Sequence, residues 1–130
     1  LYCAEAPSGL RLATTNGHNY VFAIDVDGFA VGAIGLHPGV DIHRHSAEIG
    51  YWLGEEYWNR GICTEAVRAV TDYAFTALDM GRVHAEVFQW NTASMRVLEK
   101  AGFVREGVMR KSVYKDGQWA DEVVFARITP

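Results

Sequence analysis

One stretch decides the fold of this chain: residues 51–66, which read YWLGEEYWNRGICTEA. It starts as a strand at Tyr51, passes through a short polar loop to Gly61, and enters a long amphipathic helix. The start of a helix presents unpaired backbone N–H groups and the positive end of its dipole, and both favour an anion. Gly61 lets the backbone come close to a ligand because it has no Cβ. The stretch therefore predicts a phosphate-binding loop, with an ordinary strand-to-helix turn as the alternative.

Hydrophobic periodicity extends this pattern along the chain. It predicts strands over residues 20–24, 29–36, 47–53, 82–88 and 119–128, helices over 64–80 and 91–102, and extended structure over 103–108 and 111–115. Turns are predicted at 25–28 and 116–117, with further turn signals at 6–9 and 16–17, a loop at 37–45, and Gly81 ending the first helix. Residues 1–19 carry no clear pattern. Strands, a helix, a strand, a helix and a hairpin in this order indicate an α/β or α+β domain with a mixed sheet.

Composition limits the function. The 130 residues suffice for one domain, and the net charge of −4 without a basic run argues against nucleic acid as a partner. No apolar run is long enough to cross a membrane, and the first residues lack the charged and apolar regions of a signal peptide, so we expect none. Only Cys3 and Cys63 are present, far apart, so we expect no disulfide framework or structural zinc and a cytoplasmic location. The chain begins at Leu1 and not at Met, which is consistent with a piece of a longer protein.

A second motif follows the predicted strand 82–88. Residues 91–103 read NTASMRVLEKAGF, and together with 58–66 they resemble the N-acetyltransferases of the GNAT superfamily, specifically the ribosomal-protein N-terminal acetyltransferase (Rim-type) branch. The resemblance covers about residues 20–128. It implies the GNAT fold, a mixed and mostly antiparallel sheet, flanked by helices, in which strands 48–53 and 82–88 run parallel and splay apart. It also implies that residues 1–130 form a single acetyltransferase domain lacking part of the family's N-terminal strand and helices.

The resemblance implies acetyl-CoA as the cosubstrate. The family's phosphate loop reads Gln/Arg-x-x-Gly-x-Gly/Ala, and this chain keeps Gly61 but has Trp58 and Cys63 at the outer positions. Main-chain amides hold the diphosphate regardless of side chain, and Arg60 adds a cation. The pantetheine arm is expected to pair with the strand edge as an extra strand does. The predicted cofactor-binding residues are Tyr51, Trp52, Leu53, Asn59, Arg60, Gly61, Ile62, Cys63, Thr64 and Asn91.

Two side chains are the predicted catalytic residues. By resemblance, Asn91 contacts the cofactor and the Ser94 hydroxyl lies near its sulfur, where it protonates the leaving thiolate. Glu48 is the candidate base for the amine, and strand alternation places it on one face with Gly50 and Trp52. Each of these residues also has a purely structural alternative. Asn91 and Ser94 could cap the helix, and Glu48 could be a surface carboxylate or form a cross-strand ion pair.

Other residues have weaker signals. The spacing of His43 and His45, with His37 nearby, suits a metal, but we interpret the segment as a solvated polar loop. A place along the acceptor channel, where a histidine could relay a proton, is a further alternative. Cys63 at a helix start is typical of a reactive thiol, although the family uses no acyl-enzyme, so we interpret it as a small loop residue. Tyr114 and Trp119 could border the acceptor site.

The sequence therefore predicts an acetyl-CoA-dependent N-acetyltransferase that uses no metal. Its acceptor is a primary amine, either a protein N-terminus or a small molecule, which attacks the thioester directly. The resemblance also implies that the chain can form a homodimer. The alternative from another class is a non-catalytic acyl-CoA-binding or sensing module that keeps the phosphate loop without an acceptor site.

Overall fold

The structure is a computed structural model that describes residues 10–16 and 19–130. In this part of the chain seven strands and two α-helices alternate with short turns. The elements are β1 Leu10–Asn16, β2 Asn19–Val26, β3 Phe29–Pro38, β4 Ser46–Leu53, α1 Ile62–Ala77, β5 Arg82–Phe88, α2 Thr92–Lys100, β6 Val104–Lys115 and β7 Gln118–Ile128. Two single 3₁₀ turns, Asp41–His43 and Glu55–Tyr57, precede and follow β4. None of the helices in the described residues has the length and apolarity needed to cross a membrane.

All the strands lie in one sheet in the order β1-β2-β3-β4-β5-β7-β6. Every neighbouring pair is antiparallel except β4 and β5, which are parallel. Their pairing begins at Ser46 opposite Arg82 and ends at Glu48 opposite His84, although both strands continue further. The two central strands therefore splay apart beyond Glu48. The predicted mixed sheet with a splayed parallel pair is confirmed.

One face of the sheet holds the core. Helix α1 packs on β3, β4 and β5, and α2 packs on β6 and on α1. The largest side chains with almost no exposed surface are Phe22, Phe125, Ile34, Leu36, Leu98, Val67, Val70 and Val83. Along β4, Ala47, Ile49 and Leu53 face this core, whereas Glu48, Gly50 and Trp52 lie on the opposite, exposed face. The predicted shared face of Glu48, Gly50 and Trp52 is confirmed.

The helix boundaries differ from the prediction. Helix α1 was predicted over 64–80 with Gly81 as its cap, but it begins at Ile62 and ends at Ala77. The left-handed residue after the helix is Asp79, with φ of 57°, and the Met80 N–H donates to the Ala74 carbonyl at 3.0 Å. Aspartate tolerates this conformation, and Met80 still packs into the core, so the apolar pattern continues past the end of the helix. Helix α2 also ends earlier than predicted, at Lys100, and Asn91 is its N-cap.

The remaining differences concern strands. β1 was not predicted at all; it forms a hairpin with β2. β3 extends to Pro38 at the start of the predicted loop. The two segments of extended structure predicted over 103–108 and 111–115 form the single strand β6, Val104–Lys115, interrupted by an irregularity at which Lys111 has φ of 52°. The predicted primed turn before β3 is confirmed, with positive φ at Asp27 and Gly28. The turns predicted at 6–9 and at Gly17 lie outside the described residues.

The backbone of β4 passes close to Gly32 of β3. A Cβ on Gly32 would collide with the Trp52 carbonyl oxygen and stand 3.0 Å from the Leu53 Cα. Ile24 pairs with Gly32 but Asp25 pairs with Ala30, so Val31 is an extra residue that forms a bulge in β3 next to Gly32. Glycine at this position therefore lets β3 follow the last residues of β4 closely, where β4 has already left β5.

Candidate active site

The loop from β4 to α1 is fixed by its own hydrogen bonds. The Gly54 N–H donates to the Val31 carbonyl at 2.8 Å, and the Trp58 indole Nε1–H donates to the Leu53 carbonyl at 2.7 Å. The indole thus ties the loop to the last residue of β4. Trp58 departs from the family's Gln/Arg position, and this bond gives the departure a structural role that sequence reasoning did not find.

The start of α1 has a run of unpaired donors. Gly61 is the N-cap with φ of 77°, and no side chain caps the helix. The first bond of the helix runs from the Glu65 N–H to the Gly61 carbonyl at 3.0 Å. The N–H groups of residues 60–64 have no acceptor among the described residues. A Cβ on Gly61 would meet no atom within 4 Å, so the space beside these donors is open to a ligand. This arrangement fits an anion.

The side chains around this helix start are placed as follows. The Arg60 guanidinium lies over the Tyr57 ring, 5.1 Å from its centroid, so its charge remains close to the free N–H groups. Asn59 has φ of 62°, a conformation that asparagine tolerates better than most residues. Burial raises the pKa of the Cys63 thiol. The fall in pKa that would make Cys63 a nucleophile is therefore contradicted, in agreement with our interpretation of it as a small loop residue.

A gap opens between β4 and β5 beyond Glu48. Alternate backbone groups of a strand point to each of its two neighbours, so those of residues 49–52 that point away from β3 have lost their strand partner. The Leu53 carbonyl is occupied by Trp58. Tyr51 and Trp52, which were predicted to bind the pantetheine arm, both lie on this free edge. Their side chains point to opposite faces: Tyr51 is half-buried on the helix side and Trp52 is 62% exposed on the other.

Tyr51 and Ser94 meet at the open end of the gap. The Tyr51 hydroxyl lies 2.6 Å from Ser94 Oγ, and either atom can donate. Ser94 is in the first turn of α2, where its N–H donates to Asn91 Oδ1 at 3.1 Å. Burial raises the pKa of Tyr51 to about 12, so the phenol keeps its proton at neutral pH. Asn91 is thus a helix cap, and the tyrosine side chain joins the predicted serine. Sequence reasoning had given Tyr51 only a backbone role.

Glu48 stands at the point where the strands separate, on the exposed face. Opposite it in register is His84 of β5, whose Nδ1 lies 2.7 Å from Glu86 Oε2. The pKa of the Glu48 carboxyl is raised, first by desolvation and then by its hydrogen bond with Glu86 and the negative charge of that group. Sequence reasoning missed both His84 and Glu86. The alternation of polar residues along β5 could have placed His84 and Glu86 on one face of the strand. It could not have shown that this face lies next to Glu48.

The histidines of the 37–45 segment do not converge. The His45 Nδ1 contacts the backbone carbonyl of Asp79 at 2.8 Å, and His37 and His43 are exposed. Among the described residues no three His, Cys, Asp or Glu side chains are grouped as metal ligands.

The aromatic pair predicted to border the acceptor site lies in the β6–β7 hairpin. The rings of Tyr114 and Trp119 are edge to face with centroids 5.1 Å apart, and both are exposed. They flank the tight turn of the hairpin, beyond the residues that pair with β5. A shallow depression of about 330 Å³ at the other end of α1 includes none of the predicted site residues; it is lined by Tyr20, Pro38, Gly39, Val40, Asp41, Arg44, Leu78 and Met80.

Comparisons with known proteins agree with this geometry. The family model of the acetyltransferase (GNAT) domain matches residues 4–104. The probable N-acetyltransferase YjcK of Bacillus subtilis is 44% identical over 120 residues, which cover 92% of this chain and 66% of that protein. The [ribosomal protein uS5]-alanine N-acetyltransferase of Escherichia coli is 31% identical over 86 residues, which cover 66% of this chain and 44% of that enzyme.

A solved structure extends the likeness to three dimensions. Mycobacterium smegmatis RimJ in complex with CoA-disulfide matches with a TM-score of 0.80 and 33% identity, covering 85% of this chain and 53% of that one. The chain thus spans about half to two thirds of the length of these relatives. The chain therefore belongs to the GNAT acetyltransferase family, and the predicted resemblance to its ribosomal-protein branch is confirmed.

Proposed function

We propose that this chain binds acetyl-CoA and transfers its acetyl group to a primary amine. One observation carries the proposal: the unpaired N–H groups of residues 60–64 stand at the end of a strand whose next edge is open. A helix start alone is common. A helix start joined by a fixed loop to a free strand edge offers a diphosphate site and a site for an amide-bearing arm along one continuous path.

Each part of this path has its own residues. The N–H groups from Arg60 to Thr64 would hold the diphosphate, with the Arg60 side chain nearby and Asn59 shaping the turn. The edge of β4 from Tyr51 to Leu53 would pair with the amides of the pantetheine arm, and Asn91 would flank it. The complex of the M. smegmatis relative with CoA-disulfide supports a CoA thioester as the ligand of this site.

When bound, acetyl-CoA supplies an acetyl group on a thioester, which a neutral amine attacks directly. Glu48 takes the proton that the amine loses as its nitrogen bonds to the acetyl carbon. Its raised pKa suits this task, because a stronger base removes the proton more readily. The Ser94 hydroxyl donates a hydrogen bond to the departing thiolate, which takes its proton from water, and the Tyr51 hydroxyl supports Ser94 by donating to its Oγ. A backbone amide of β4 near Tyr51 would stabilise the developing oxyanion.

We propose a protein N-terminus or a small amine as the acceptor. The E. coli relative is an alanine N-acetyltransferase of ribosomal protein uS5, which favours the first of these classes. The cytoplasmic location and the homodimer stay predictions from the sequence.

The proposal is tested in two measurements on the full chain. Titration calorimetry with CoA and with acetyl-CoA should give saturable heats of binding. A free-thiol assay with acetyl-CoA and a panel of amines and N-terminal peptides should then show thiol release that depends on the amine. Binding without release for any acceptor would favour the non-catalytic acyl-CoA module. The absence of binding by well-folded protein would overturn both functions.

A further inference from the structure

The exposed face of the sheet carries a group of ionisable side chains at the point where β4 and β5 separate. Glu48 is the last residue of β4 that pairs with β5, and His84 is opposite it. Glu86 lies two residues further along β5 on the same face. Glu86 is 18% exposed and His84 25% exposed, so their contact is largely shielded from water. Shielding of this kind strengthens hydrogen bonds between charged groups.

These three side chains are linked in a row. The His84 ring nitrogen Nδ1 is 2.7 Å from Glu86 Oε2, which requires a proton on one of the two atoms. Glu86 lies on the same face as Glu48, two residues beyond its register partner His84, and a hydrogen bond between the two carboxyl groups contributes to the raised pKa of Glu48. Two carboxyl groups can make such a bond only when one of them is protonated. Glu86 therefore lies between an imidazole that fixes its orientation and the Glu48 carboxyl group, which donates a hydrogen bond to it when protonated.

We propose that Glu86 is a positioning residue for the base Glu48: held in place by His84, its carboxylate accepts the hydrogen bond of protonated Glu48. This inference rests on the proposed function. As the amine nitrogen gains the acetyl carbon, its N–H bond breaks and an O–H bond forms on Glu48. That O–H donates to the carboxylate of Glu86, so the product state of the proton transfer is stabilised and Glu48 becomes a stronger base. The arrangement of base, acceptor and orienting group follows the logic of other catalytic triads.

Other charged groups near Glu48 also affect its pKa, so their effects must be compared with that of Glu86. His37 of β3 is paired in register with Glu48, and Glu122 of β7 lies beyond Glu86 on the same face. The charge of Glu122 raises the pKa of Glu48 and that of His84 lowers it, but both effects are smaller than those of desolvation and of Glu86. Glu122 accepts a hydrogen bond from Ser112 Oγ at 2.9 Å and is thus engaged elsewhere. Among these neighbours, Glu86 has the largest effect on Glu48.

The test compares three variants of the full chain with the parent. Glu86→Gln removes the negative charge and should move the titration of Glu48 to lower pH by about one unit. His84→Asn removes the contact that holds Glu86, so it should also move the titration of Glu48 to lower pH, by less than Glu86→Gln does. Glu99→Gln, on the exposed surface of α2, removes an equal charge and should leave Glu48 unaffected. A shift to higher pH in His84→Asn would mean that His84 acts on Glu48 through its charge alone, and it would overturn the role of His84 in holding Glu86.

Two readouts separate this inference from the function on which it rests. The carbon-13 NMR titration of the Glu48 carboxyl carbon, assigned with Glu48→Gln, needs no turnover. The pH profile of kcat/KM for thiol release should repeat the NMR shifts in its acidic limb. Turnover by the parent with an unchanged titration of Glu48 in Glu86→Gln would overturn the positioning role alone. Absence of turnover by the parent with every amine would overturn the proposed function and this inference together.

Discussion

The two ends of the candidate site use different chemical groups. At the start of α1 the donors are main-chain N–H groups, which any sequence with the same backbone would present. At the gap between β4 and β5 the reactive groups are side chains: Glu48 on the exposed face, and Tyr51 with Ser94 on the helix side. The first region depends on backbone conformation and the second on residue identity. Substitutions should therefore affect binding at one end and turnover at the other.

This difference also explains why the phosphate loop tolerates residues that differ from the family pattern and why the gap should not. Trp58 and Cys63 replace the usual residues of the phosphate loop, yet the free N–H groups are in place because Gly61 keeps its positive φ. No comparable freedom exists at the gap, since a proton can be moved only by a group that ionises or carries an exchangeable hydrogen.

The largest effect is expected at Glu48. Glu48→Gln keeps the size of the side chain but removes the base, so kcat/KM should fall by about 10²- to 10⁴-fold. The affinity for CoA should not change, because the phosphate end does not use this side chain. Thiol release and calorimetry on the same preparation measure the two quantities. Unchanged turnover, or a parallel loss of CoA binding, would remove Glu48 from the role of base.

The second effect concerns the backbone at Gly61. Gly61→Ala places a Cβ on a residue with φ of 77°, which costs about 1–2 kcal/mol and disfavours the loop conformation. The Cβ also enters the open space in which a phosphate would lie. We expect CoA affinity to fall by about tenfold, equivalent to about 1.4 kcal/mol.

Gly117 supplies a matched control for this change. It has φ of 78° in the β6–β7 turn and the same open surroundings. Gly117→Ala should therefore lower stability by as much as Gly61→Ala, measured by chemical denaturation, while leaving CoA affinity at the value of the parent. Equal affinities in the two variants would mean that residues 60–64 do not hold the diphosphate.

A smaller effect is expected from the Tyr51 and Ser94 hydroxyls. Tyr51→Phe and Ser94→Ala each remove the 2.6 Å bond between them, worth about 0.5–1.5 kcal/mol. If the pair acts as one donor to the leaving sulfur, the two changes should lower kcat by similar factors and the double variant by little more. A double-mutant cycle on kcat measures this coupling. Strictly additive losses would show that the hydroxyls act independently, and full activity of Ser94→Ala would remove the serine from the mechanism.

The sequence predicted the backbone-dependent end better than the side-chain end. Gly61 and Asn91 stand at the start of helices, where their chemistry is local, and both were found by periodicity and capping patterns. The bounds of β5 were also predicted, because its apolar residues alternate without interruption. The end of α1 was missed because Met80 continues to pack after the helix has stopped.

Contacts between distant residues could not be predicted in the same way. Tyr51 and Ser94 are 43 residues apart, and their bond depends on the placement of α2 beside the end of β4. The alternation of β5 places His84 and Glu86 on one face, but only the parallel register reveals that His84 is opposite Glu48. β1 was missed because its alternation of apolar and polar residues is short. It is also an edge strand, which among the described residues pairs only with β2.

The smallest expected effect is on stability, and its sign separates Glu48 from an ordinary surface carboxylate. The folded-state pKa of Glu48 is raised above its ordinary value of 4.5. The stability it contributes is therefore present below that value and is lost as the pH rises through the raised pKa. At pH 7 Glu48→Gln should be slightly more stable than the parent, and the difference should disappear in acid. Glu106 provides the opposite case, because its hydrogen bonds with Arg82, at 2.8 and 3.0 Å, lower its pKa.

The stability that Glu106 contributes is present above its ordinary pKa and is lost as the pH falls through the lowered one. Glu106→Gln should therefore destabilise the fold at pH 7, and the difference should shrink in acid. Chemical denaturation of both variants at several pH values measures the two signs. If both variants lose stability at pH 7, Glu48 is an ordinary surface ion-pair partner. If Glu48→Gln alone gains stability, the gap holds its carboxylate at a cost to the fold, as is typical of groups kept for chemistry.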